Sequence, residues 1–165
     1  MIDVGGGVTA TPLVCEDLAR LDEVADLMRR IGPSLVVAVL LDGPQLAARW
    51  PCRYASVIAD DPGSAVLTLT SSGMATRSRP PGKPVSRVVA HWNSQADGVR
   101  ELGLARGAAA LLLTTTVERS TLWTADGRRH DGVPRLRLER VEQLKRPHRT
   151  RRVVHDARPR QATRA

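Results

Sequence analysis

Cys15 is the residue of this chain with the clearest chemical potential. Its thiol ends the apolar run Val8 to Val14, and Glu16-Asp17 and an amphipathic segment follow at once. A cysteine that attacks a carbonyl or nitrile carbon needs a base for its proton and a partner for the charge that develops. A strand-to-helix junction supplies part of this, because amides at a helix start favour a thiolate and an oxyanion. Glu16 and Asp17 oppose the first effect where they lie close. The histidines His91, His130, His148 and His155 all lie far downstream, and the only lysines are Lys83 and Lys145. Cys52, between Pro51 and Arg53, reads as a packing residue. Trp50 and Tyr54 are one helical turn apart and read the same way.

Two cysteines are too few for a disulfide framework or a four-thiolate metal site. The sequence therefore implies no metal and no organic cofactor. Gly5-Gly6-Gly7 precedes a strand instead of following one, so it is a poor dinucleotide signal, and no Walker A motif occurs.

The elements that must position Cys15 follow from periodicity. Met1 to Gly7 reads as irregular and Val8 to Val14 as a short strand. Leu18, Leu21, Val24, Ala25, Leu27, Met28 and Ile31 recur at helical spacing, and Gly32-Pro33 stops that helix. Leu35 to Leu41 is a continuous apolar run, as in a strand covered on both faces. Asp42-Gly43-Pro44 is a turn, and Gln45 to Ala59 reads as a helix, with Pro51 setting its first part aside as a turn. Ala65 to Thr70 is a strand. Ser71 to Pro84 is a basic loop rich in Pro and Gly. Val85 to Trp92 and Ala108 to Thr115 are further strands, and Leu136 and Leu138 alternate with charged residues as in an edge strand. The order strand, helix, strand, helix, strand predicts an α/β fold with a mixed, mostly parallel sheet flanked by helices.

The segment Pro12-Leu13-Val14-Cys15-Glu16-Asp17-Leu18 resembles the nucleophile segment of the nitrilase-like carbon–nitrogen hydrolases, in its Cys-Glu-Asp form. Leu41-Asp42-Gly43-Pro44 stands where that superfamily has a substrate-side loop. Trp50 to Val57 and Asp60 to Gly73 resemble its next helix, turn, strand and loop. The resemblance implies the C-terminal half of a nitrilase-like αββα sandwich. It also implies hydrolysis of a small amide or nitrile through a thioester or thioimidate on Cys15, with the backbone amide of Glu16 at the oxyanion. The superfamily's base Glu and its Lys precede the Cys, and the 14 residues before Cys15 contain neither. The expected domain is thus partial. It needs a separately encoded first half, or self-association over an exposed sheet face. A catalytically silent interaction domain or remnant is the alternative.

The net charge of +8 sits mostly at one end. Residues 145–165 hold eight basic residues and one acid, a net +7, which leaves +1 for residues 1–144. The expectation is a domain over 1–144 and a basic disordered tail over 145–165. Such a tail attracts polyanions in a salt-dependent way without reading bases, so a non-specific nucleic-acid binder is a further alternative. No apolar run approaches the roughly 20 residues of a membrane span. No signal peptide is visible at MIDVGGG, and the expected location is the cytoplasm.

Overall fold

Alternation along the central strands decides which layer lies on which side. Val36, Ala38 and Leu40 are buried with the helices, whereas Leu35, one residue away, joins the opposite core. A computed structural model describes residues 1–123 and 126–145. Its six-stranded sheet runs in sequence order: β1 (Ile2–Gly5), β2 (Val8–Val14), β3 (Leu35–Val39), β4 (Ala65–Leu69), β5 (Val88–Ser94) and β6 (Gly98–Gly103). A long antiparallel hairpin follows, β7 (Ala108–Trp123) with β8 (Arg129–Lys145).

Only β2–β3 and β3–β4 pair in parallel, two of five pairings. The expected mostly parallel sheet is therefore corrected to a mixed, mostly antiparallel one. The reason lies in the connections. β2, β3 and β4 are joined by helical crossovers, which return the chain to the same starting edge. β1–β2 turn at Gly6-Gly7, both at positive φ, and β5–β6 turn over three residues, so each of these pairs reverses direction. The segment read as irregular, Met1 to Gly7, thus supplies β1 and its turn.

The helical segments that follow β2 and β3 cover one face of the sheet. A 3₁₀ turn (Cys15–Ala19) and a π turn (Leu21–Ala25) lead into α1 (Asp26–Ile31), which Gly32 caps in the left-handed region at φ 52°. α2 (Trp50–Asp60) begins with Pro51, whose missing N–H costs nothing in a first turn. The core on this side joins Leu13, Leu18, Met28, Val36, Ala55 and Ile58. α3 (Ser72–Arg77) is a single short helix in the stretch read as a loop.

The hairpin covers the other face, where Ala65, Ala90, Trp92, Leu102, Leu136 and Leu138 form the second core. Asp97 fastens it: its Oδ2 accepts from Leu138 N at 2.8 Å and from Trp92 Nε1 at 3.0 Å. Gln143 bridges back, accepting from Ala105 N and donating to the Gly103 carbonyl. The cover is incomplete. Val14, Val39 and Leu69 lie in line across the sheet, yet Leu69 packs under the hairpin while Val14 and Val39 are 60% and 42% exposed. Among the described residues no helix is long and apolar enough to cross a membrane.

Candidate functional site

The parallel strands β2, β3 and β4 end at one edge, and the loops leaving them build the candidate site. Open α/β sheets place ligand crevices beyond such carboxyl ends. Cys15 is the first residue past β2 and is partly exposed. Among the described residues it is the only non-glycine at positive φ, 49°. A side chain in this region costs about 1–3 kcal/mol and persists only where the surroundings impose it. Here they do. β2 is held by β3 on one side, Leu18 is buried three residues later, and the Asp17 carboxylate accepts from Val14 N at 3.1 Å. Strand and turn thus meet at a corner with Cys15 at its apex.

Glu16 is exposed, and its carboxylate has no hydrogen bond or ion pair among the described residues. Asp17 is occupied with Val14, so neither acid is aimed at the thiol. Cys15 Sγ likewise has no hydrogen-bonded side chain among the described residues.

The loop after β3 is tied by its own side chains. Asp42 Oδ1 accepts from Gly43 N at 2.6 Å and from Arg49 at 3.0 Å, and Oδ2 accepts from Trp50 Nε1 at 2.9 Å. Thr70, just beyond β4, donates to the Asp42 carbonyl at 2.7 Å. Gln45 is fully buried and donates to the Gly43 carbonyl, while its Oε1 has no partner among the described residues. This Asp42–Arg49–Trp50 constellation was missed from sequence. Its signal is an Asp-Gly turn with Arg and Trp seven and eight residues after the Asp. Trp50 is therefore both a packing residue against Tyr54, with rings edge to face, and a hydrogen-bond donor.

His91 does not join Cys15. It lies in β5, level with Thr68 of β4, and three strand spacings separate β5 from β2, about 14 Å. It is fully buried, with Nδ1 2.6 Å from Thr68 Oγ1. Burial pushes its pKa down to about 4, against a smaller opposing effect of Glu101. The ring is neutral in the interior and works as a packing and hydrogen-bonding group. Cys52 is buried in α2, and burial pushes its thiol pKa up, with Ser56 acting against that. Lys83 is exposed, in a turn closed by its own N–H to the Pro80 carbonyl. The side chain of His130, all of His148 and His155, and the tail 146–165 lie outside the described residues. Among the described residues, no cluster of three or more His, Cys, Asp or Glu is arranged to hold a metal ion.

No family model, no curated protein and no solved structure matches this chain.

Proposed function

We propose that Cys15 is an acyl-accepting nucleophile and that the chain is similar to the thiol-bearing part of a carbon–nitrogen hydrolase acting on a small amide or nitrile. The observation that carries this reading is the backbone of Cys15, held at φ 49° at the open end of β2 and partly exposed there. A residue held in a sparsely populated conformation at a sheet's carboxyl edge is a position where strain serves presentation of a side chain.

The reaction follows from the thiol. Sulfur adds to the amide carbon, its proton passes to the departing nitrogen, ammonia leaves, and a thioester remains on Cys15. Water then releases the acid and restores the thiol. Backbone amides of the turn that starts at Cys15, Glu16 first, are the groups available to the oxyanion. Without a general base the attack is slower by roughly 10² to 10⁴. The base and a cation then come from outside the described residues, from a further segment or a second copy seated over the uncovered Val14 and Val39.

Mass spectrometry after incubation with a panel of small amides and nitriles tests the reading. An acyl or imidoyl adduct on Cys15, absent in Cys15→Ala, supports it. Iodoacetamide labelling of Cys15 no faster than that of buried Cys52 contradicts it. A second reading, a catalytically silent interaction domain, is favoured by the same exposed valines and by the lack of a described base beside the thiol. Polyanion binding by residues 145–165 is the third, and salt-sensitive retention on heparin that survives deletion of residues 146–165 would sink it.

A further inference from the structure

Between the sheet and the hairpin lies an open cleft of about 400 Å³, the size of a small-molecule site. Leu67 and Leu69 of β4 and Val89 of β5 form one wall, and Leu111 and Leu113 of β7 the other. The gap has a cause in the sequence. β7 opens with Ala108-Ala109-Ala110, and the strand is bulged there, so its first residues put little side-chain volume at the cleft that Ala109 and Ala110 line. The four leucines are only half-buried. Among the described residues, none lining the cleft is ionisable.

One end is polar. Thr70, Ser71 and Ser72 line it where β4 ends. The Thr70 hydroxyl is committed to the Asp42 carbonyl, whereas Ser72 Oγ has no hydrogen bond among the described residues and is available to accept. Ser71 Oγ accepts from Met74 N at 3.1 Å, which leaves its proton to donate. A ligand end carrying both a donor and an acceptor matches this pair. A charged end meets no counter-charge in the cleft and loses its hydration.

We propose that this cleft is a binding site for a small, uncharged, mainly apolar molecule with one amide-like or alcohol-like end, the apolar part between β4 and β7 and the polar end at Ser71 and Ser72. The site is independent of the chemistry of Cys15.

The test is methyl-resolved NMR of the full chain titrated with hexanamide, with hexanoate as the charged counterpart. Hexanamide is expected to give saturable shifts at Leu67, Leu69, Leu111 and Leu113, unchanged in Cys15→Ala. Hexanoate should bind at least about tenfold more weakly, because its carboxylate is desolvated without a partner. Leu111→Trp fills the cleft and should abolish the saturable shifts. If that variant does not fold, Leu113→Ala supplies the control: it removes part of the apolar wall and should weaken hexanamide binding several-fold. Saturable shifts that persist in a folded Leu111→Trp, equal binding of both hexyl ligands, or no saturable shift in the parent would each overturn the proposal. So would cleft methyl signals that move with protein concentration alone, since a second copy would then be the occupant.

Discussion

Cys15 and His91 show how backbone and burial set a residue's chemistry. The φ of 49° at Cys15 is a conformation that glycine adopts freely. Cys15→Gly is therefore expected to raise stability by roughly 1 kcal/mol in urea unfolding while removing the thiol. Equal or lower stability would show that no strain is held there. His91 supplies a pH dependence. Its pKa of about 4 in the folded chain lies below the ordinary 6.5, because burial disfavours the charged ring. Above the ordinary value both states are neutral and there is no penalty. As pH falls from 6.5 toward 4 the unfolded chain takes up the proton and the folded chain does not, so stability falls. The loss is expected to approach roughly 3 kcal/mol, and His91→Asn should flatten that window. An unchanged slope in the variant would remove His91 from the account. The strand-end position of Cys15 was legible in sequence because an apolar run stops at an acidic pair. Its φ was not, since the corner is fixed by Leu18 packing and by Asp17 reaching back to Val14. The separation of His91 from Cys15 depends on strand order, which local pattern does not carry.

At the scale of elements, runs with a buried face were readable and runs without one were not. β3 is a continuous apolar stretch and β4 is apolar but for Thr68, and Ala55, Ile58 and Ala59 give α2 its buried side. By contrast β1 is exposed throughout, β6 buries only Leu102, and α3 buries only Ala75. Backbone pairing makes β1 and β6 strands, with little side-chain pattern to announce it. The parallel reading failed for the same reason, because the missed β1 and β6 are both antiparallel partners. Asp97 is the element-level prediction. Burial raises its carboxyl pKa, but the hydrogen bonds from Leu138, Trp92 and Ser94, together with Arg137, outweigh that and hold it below the ordinary value. It therefore contributes stability above the ordinary carboxylate range and loses it as pH falls through the lowered value. Asp97→Ala leaves the Leu138 and Trp92 donors without their partner and should cost about 1–3 kcal/mol. Hydrogen exchange should show faster opening of β8 than of β3. Uniform exchange across both would contradict a local role in seating the hairpin.

For the whole molecule, the second layer is a two-stranded hairpin that covers the β4–β6 side of the sheet better than the β2–β3 side. On this face Val14 and Val39 are exposed, whereas Leu35, Leu67 and Leu69 pack in the second core with Leu111 and Leu113 of the hairpin. Charge could not reveal this, because it concentrates in residues 145–165. If a second copy or another chain seats on the exposed valines, Val14→Lys with Val39→Lys should keep the chain folded and abolish association in sedimentation velocity. Association of the same strength in the double variant would place the contact elsewhere. The central claim remains the reactivity of Cys15, and an activated ester tests it most directly, since its good leaving group needs no help from a missing acid. Intact-mass analysis after exposure to p-nitrophenyl acetate should find one acetyl group in the parent and in Cys52→Ala, and none in Cys15→Ala. Acetylation that persists in Cys15→Ala, or a parent chain left unmodified, would contradict the account.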